Sequence, residues 1–269
     1  MNRTRIVILA AAGLAVATLA GCMAQRLETS RNLARQAEPF SIEPSRARAR
    51  LLVIGDSTAV GTGASGPEMS VAGQLAARSP ELAIDNLARN GARFEDLEAQ
   101  LEAAPGQRYD AILIMAGGND VLRFTRESTL RHDIDGVALR AKSMAPLVVI
   151  MPAGNMGNAP FFLPPVSWIM TSRSQTLHAV VREQAALRGL AYVNLYKPKD
   201  DDPFAQESDR LNAADGLHPS DDGYALWLHE LLEQSPLATV LAMGHVGSRV
   251  PVLAEMPVPP TGSGRRPPG

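Results

Sequence analysis

Gly55-Asp56-Ser57 places a serine hydroxyl directly after the apolar run Leu51–Ile54, where a buried strand should end. Far downstream, Asp215-Gly216-Leu217-His218 places a carboxylate and an imidazole three residues apart in a polar stretch that holds Gly and Pro. A serine hydroxyl is a weak nucleophile until a base takes its proton, and a histidine base works best when an acceptor fixes its tautomer. These residues supply one candidate for each role: Ser57 as nucleophile, His218 as base, Asp215 as its orienting partner. Each has a plainer reading when taken alone, a helix N-cap for Ser57 and a turn cap for Asp215. Together they point to acyl transfer through a serine.

The elements that must position these groups are legible as alternating apolar patterns. Strands are expected at Leu51–Ile54, Leu82–Leu87, Ala111–Met115, Leu147–Met151 and Leu190–Leu195, all short and aliphatic. Helical spacing appears in Phe94, Leu97 and Leu101, in Leu130, Ile134, Val137, Ala141 and Met144, and in Leu177, Val180, Gln184 and Leu187. Near-continuous apolar strands separated by amphipathic helices imply a parallel sheet of about five strands covered on both faces, a three-layer α/β/α sandwich of flavodoxin-like type. Functional loops in such sheets gather beyond the carboxyl ends of the strands. Gly55-Asp56-Ser57 follows the first strand, Asn90-Gly91 the second and Gly117-Gly118-Asn119-Asp120 the third. Asp215 and His218 follow the fifth, before a final helix with Tyr224, Trp227 and Leu228.

Gly55-Asp56-Ser57, Gly91, Gly117-Gly118-Asn119-Asp120 and Asp215-Gly216-Leu217-His218-Pro219 resemble the motif blocks of the SGNH, or GDSL, hydrolase superfamily, over residues 51–232. The resemblance implies a catalytic triad of Ser57, Asp215 and His218. It also implies an oxyanion hole built from the backbone N–H groups of Ser57 and Gly91 and the side-chain amide of Asn119. The implied activity is cleavage of carboxylic esters or thioesters, with no cofactor and no metal. The alternatives are an acyltransferase or deacetylase acting on envelope glycans, and a non-catalytic envelope lipoprotein that kept the fold for binding. Asp120 is read as structural.

The chain opens with Arg3 and Arg5, then an apolar stretch, residues 6–20, too short and too abruptly ended to favour a spanning helix. It closes on Leu19-Ala20-Gly21-Cys22, which resembles a bacterial lipoprotein signal with Cys22 as the lipidated residue. Cys22 is the only cysteine among 269 residues, so an intrachain disulfide and a Cys-rich metal site are excluded. The expected organisation is a signal peptide over 1–21 and a lipidated, solvated tether over 22–49. A hydrolase domain over 50–246 and a disordered Pro- and Gly-rich tail over 247–269 complete it. Met23 after the cysteine favours the periplasmic face of an outer membrane. The net charge of -2 argues against a nucleic-acid partner.

Three further segments carry expectations. Gly61-Thr62-Gly63-Ala64-Ser65-Gly66, with Asp85 beyond it, satisfies a dinucleotide fingerprint, but six residues separate its first glycine from the strand end at Ile54, where the fingerprint needs it at the strand-to-helix turn. Asp200-Asp201-Asp202 reads as a solvated acidic loop. The apolar segment from Phe161 to Met170 lies on the expected active-site side. Phe161, Phe162 and Trp168 are candidate substrate contacts there, in a segment that either lines an acyl pocket or leans on lipid, the alternative being a loop packed into the domain's own core.

Overall fold

Aliphatic runs buried on both faces need helices above and below them, and the strands obey that requirement. The computed structural model describes residues 21–105 and 108–244. The expected signal peptide before Gly21 and the expected tail lie outside the described residues. Strands β1 (Ala49–Gly55), β2 (Leu82–Asn86), β3 (Ala111–Met115), β4 (Leu147–Ile150) and β5 (Ala191–Tyr192) pair in parallel in the order β2-β1-β3-β4-β5. Alternation splits each strand between two cores. Leu52, Ile54, Ile112, Ile114, Val148 and Ile150 face α4 (Leu97–Glu102), α6 (Glu127–Met144) and α7 (Val166–Arg188). Leu51, Val53, Leu113, Met115 and Val149 face α3 (Val71–Arg78), α10 (Asp221–Gln234) and α11 (Leu237–Met243).

The expected helical stripes are buried with one exception. Leu130, Ile134, Val137, Ala141 and Met144 all lie inside, as do Leu177, Val180 and Gln184, but Leu187 is 69% exposed. The buried seam of α7 runs instead through Val181 and Ala185. The helix carrying Tyr224 and Trp227 is not the last one, since α11 follows and adds Leu237 and Leu241 to the second core. β5 stands at the edge of the sheet and pairs with β4 over two residues.

The largest departure from expectation concerns the tether. Residues 21–36 form a helix, α1, and the chain beyond it is docked instead of solvated. Ala37 and Phe40 pack against the second core, and Ile42 pairs antiparallel with Ile84 on the outer side of β2. Ser41 Oγ accepts from the Asn86 N–H at 3.0 Å, and Arg50 pairs with Glu43. The open edge of β2 offers unpaired backbone groups, and this segment covers part of it. No helix among the described residues is long and apolar enough to cross a membrane.

Candidate active site

In the order β2-β1-β3, the chain leaves β1 in one direction and β3 in the other, which opens a crevice at their carboxyl ends. The end of β1 approaches β3 closely. Gly55 has φ +149, and a Cβ there would sit 1.9 Å from the Met115 carbonyl oxygen, so no other residue fits. Buried Gln100 of α4 clamps the same glycine from below, accepting from its N–H at 2.8 Å and donating to its carbonyl at 3.0 Å. Asp56 then caps the short helix α2 (Ser57–Val60), its Oδ1 accepting from the Thr58 N–H and hydroxyl. The capping role considered for Ser57 therefore belongs to Asp56. Ser57 is left with its hydroxyl turned toward the crevice.

His218 reaches that hydroxyl from the loop before α10. Its Nε2 lies 2.9 Å from Ser57 Oγ, and its Nδ1 lies 2.6 Å from Asp215 Oδ2. The three-residue spacing is enforced by the turn itself. Asp215 Oδ1 accepts from the backbone N–H groups of Leu217 and His218, while Ala213 N–H donates to the His218 carbonyl. Burial pushes the Asp215 carboxyl up. The hydrogen bond and charge of His218, with the two backbone donors, outweigh that and hold it below the usual carboxylate value. An ionised Asp215 accepting from Nδ1–H leaves Nε2 with its lone pair facing Ser57. This is the arrangement needed to remove the hydroxyl proton.

Gly91 and Asn119 line the same cavity as Ser57 and His218. Gly91 adopts φ +81 in the loop after β2, and Asn119 sits in α5 (Gly118–Leu122) directly after β3. Among the described residues, the N–H groups of Ser57 and Gly91 and the Asn119 amide have no protein hydrogen-bond partner. They are thus three uncommitted donors beside the nucleophile. Asp120 points the other way, into the protein, where its Oδ2 accepts from the Phe94 N–H at 3.2 Å. Burial pushes its carboxyl up to about 6, against the pull of the neighbouring Thr125 hydroxyl and the Phe94 N–H, with the charge of nearby Asp56 adding to the rise. Burial likewise raises Asp56.

Phe161 lines the cavity, and its N–H donates to the Gly216 carbonyl at 2.9 Å, which ties it to the His218 loop. Phe162 packs edge-on against Phe161 and onto the first core and is not among the residues that line the cavity. Trp168 is not among the residues that line the cavity. It lies in the first turn of α7, 68% exposed, because helix periodicity turns it outward while Ser167 and Met170 face in. Asp202 departs from the solvated loop expected of it: it is buried, caps α8 (Pro203–Gln206) and accepts from Asn158 Nδ2 at 2.7 Å.

The site also uses residues that the sequence patterns did not flag. The Gly61–Gly66 segment holds no dinucleotide loop. A Cβ on Gly63 (φ +99) would fall 2.5 Å from the Pro219 carbonyl oxygen and 2.9 Å from His218 Cβ, so this glycine lets the turn back directly onto the histidine. Tyr224 fixes that turn by donating to the Thr62 carbonyl at 2.8 Å. Four residues of α1, namely Leu27, Ser30, Arg31 and Ala34, line the cavity as well. Their i, i+3, i+4, i+7 spacing is helical, but with Ser30 and Arg31 at two of the four positions no apolar stripe marks it in the sequence. No group of His, Cys, Asp or Glu among the described residues is arranged to hold a metal ion.

A parallel sheet of this order, with a Ser–His–Asp hydrogen-bonded chain at its switch point and free donors beside the serine, defines a serine hydrolase of the α/β/α class. Residues 53–226 match the profile of the GDSL-like Lipase/Acylhydrolase family, and the chain belongs to that family of ester-hydrolysing serine hydrolases. Solved structures of similar fold include a lipase/acylhydrolase from Enterococcus faecalis. It is 21% identical, with a TM-score of 0.54 over 74% of this chain and 99% of that one. An extracellular lipase from Streptomyces rimosus is 19% identical, with a TM-score of 0.52 over 70% of this chain and all of that one. An acetylxylan esterase from Geobacillus stearothermophilus is 23% identical, with a TM-score of 0.51 over 71% and 96%. A comparison with curated protein sequences gives no match.

Proposed function

We propose that the protein is an envelope-anchored esterase that cleaves carboxylic ester or thioester bonds through a Ser57–His218–Asp215 triad and an acyl-enzyme. The observation that carries the reading is the unbroken chain from Ser57 Oγ through His218 to Asp215, opening into a cavity of about 390 Å3. Ser57 Oγ bonds to the substrate carbonyl carbon as His218 Nε2 takes the hydroxyl proton. The negative charge on the carbonyl oxygen is met by the N–H groups of Ser57 and Gly91 and the amide of Asn119. Collapse breaks the carbon–oxygen bond to the leaving alcohol, which departs with the proton from His218. Water attacks the acyl-enzyme, again through His218, and releases the acid and the Ser57 hydroxyl.

The walls near the nucleophile include Leu122, Met156, Phe161 and Leu217, which suits an acyl group with hydrocarbon bulk better than a bare acetyl on a glycan. Lipidation at Cys22 would hold the enzyme at the membrane, and the periplasmic face of an outer membrane is the site we favour. Cys22 is exposed and stands five residues before Leu27 on α1, about 7.5 Å of helix rise. The anchor and the cavity mouth would therefore be close neighbours. A panel of nitrophenyl esters of rising acyl length, run beside acetylated xylo-oligosaccharides, tests the reading. Hydrolysis of butyrate and longer esters is expected. Turnover confined to the acetylated glycan would replace it with the deacetylase alternative.

A further inference from the structure

α1 crosses the mouth of the cavity and is fastened on both sides of it. Near its start, Arg26 Nη1 donates to the carbonyl of Pro160, next to Phe161 in the cavity wall. Near its end, the Ala34 carbonyl accepts from Asn90 Nδ2 at 2.8 Å, and Asn90 Oδ1 accepts in turn from the Thr62 hydroxyl at 2.7 Å. Arg26 and Ala34 are eight residues apart, about 12 Å along a helix. The helix thus bridges the Phe161 side of the site and the Gly91 side. Between the two fastenings, Leu27, Ser30, Arg31 and Ala34 present one face to the space in front of Ser57. The docked segment that follows, through Phe40 and Ile42, holds α1 in register with the domain.

The family match begins at Val53, so this wall comes from outside the part of the chain that defines the family. The candidate reacting groups lie within the family match, whereas what reaches them here is bounded by a segment that the match does not cover. We propose that α1 is a substrate-selecting wall of the site, with Leu27 and Ala34 as specificity-determining residues, and that the preferred substrates are esters of aliphatic acids longer than acetate. The proposal rests on the esterase reading above. An acetyl group ends close to Ser57, inside the family domain. A longer chain extends toward the cavity wall to which α1 contributes the apolar Leu27 and Ala34 beside the polar Ser30 and Arg31. Contacts of that kind act on binding before the chemical step, so they raise efficiency through KM more than through kcat.

The test compares the purified full chain with Leu27→Ala and Ala34→Phe on nitrophenyl acetate, butyrate and octanoate. Fluorophosphonate labelling of Ser57 runs alongside as a count of competent sites. Ala34→Phe is expected to lower the octanoate-to-acetate ratio of kcat/KM by about 10-fold or more, the value of a methylene-scale mismatch in a hydrophobic pocket. Leu27→Ala is expected to lower the same ratio by about 3-fold, mainly through the octanoate KM, since Leu27 is 43% exposed and loses only part of a buried contact. Leu27→Ala adds no bulk and carries the test if Ala34→Phe disturbs the docking of α1. A wild-type protein that labels and turns over esters, with the ratio unmoved in both folded variants, overturns the assignment to α1 alone. Absence of labelling and of ester turnover in the wild type overturns the esterase reading on which it stands.

Discussion

Asp215→Asn tests the triad at the point where its geometry is most constrained. Asp215 Oδ1 accepts from two backbone N–H groups, Leu217 at 2.9 Å and His218 at 3.1 Å, while Oδ2 faces His218 Nδ1 at 2.6 Å. An amide in this position has one oxygen, and the two backbone donors claim it, because turning the amide around would point N–H against N–H in a buried turn. The amide nitrogen must then face Nδ1. That contact is favourable only if Nδ1 accepts, which moves the imidazole proton to Nε2 and points it at Ser57. A histidine with a proton on Nε2 cannot act as a base toward the hydroxyl. The wrong tautomer is expected to lower kcat by about 10⁴-fold, or roughly 5 kcal/mol of transition-state stabilisation. The side chain is isosteric and the turn keeps its acceptor, so circular dichroism and thermal unfolding should change little. The assay is single-turnover hydrolysis of a short nitrophenyl ester. A folded Asp215→Asn protein that stays within 10-fold of wild type would refute the orienting role.

Asn119→Ala removes one of the three uncommitted donors beside Ser57 and should lower turnover by about 10²–10³-fold with the fold intact; full turnover would remove Asn119 from the oxyanion hole. Asp120 carries a carboxyl raised to about 6, so the folded state holds its proton more tightly than the unfolded chain. This group's stabilisation is present at pH 4 and lost as pH rises through about 6, a difference of up to about 3 kcal/mol. Asp120→Asn should therefore stabilise the protein in urea unfolding at pH 7.5 relative to its effect at pH 4.5, and equal effects at both pH values would refute the burial argument. Cys22→Ala should abolish incorporation of radiolabelled palmitate and leave the protein unanchored or unprocessed, whereas a wild-type chain that takes up no palmitate would rule out the lipoprotein assignment.

How far the sequence could be read follows from where the information sits. β1, β3 and β4 are buried on both faces, so they appear as continuous aliphatic runs, and their positions were legible within two residues. β5 was overextended because its apolar run from Leu190 to Leu195 continues into the second core after sheet pairing ends at Tyr192. Asp215 and His218 were legible because a single turn carries both, whereas Gly63 and Gln100 act through backbone contact with distant segments and leave no local pattern. α1 was hidden for a different reason. It is held at its ends by hydrogen bonds, and the face it turns to the cavity mixes Leu27 and Ala34 with Ser30 and Arg31, so its composition looks like that of a solvated linker. Trp168 sits in an apolar segment whose composition does not show which of its residues helix periodicity turns outward.

The central claim is that Ser57 is the nucleophile of an acyl-enzyme, and trapping it is the most direct measurement. The protein would be treated with a fluorophosphonate under native conditions and the modified peptide located by mass spectrometry. The account predicts one label per chain on Ser57, with ester hydrolysis lost in proportion to labelling and neither label nor activity in Ser57→Ala. A wild-type protein that hydrolyses esters while remaining unlabelled, or a label carried by another serine with activity surviving in Ser57→Ala, would contradict it.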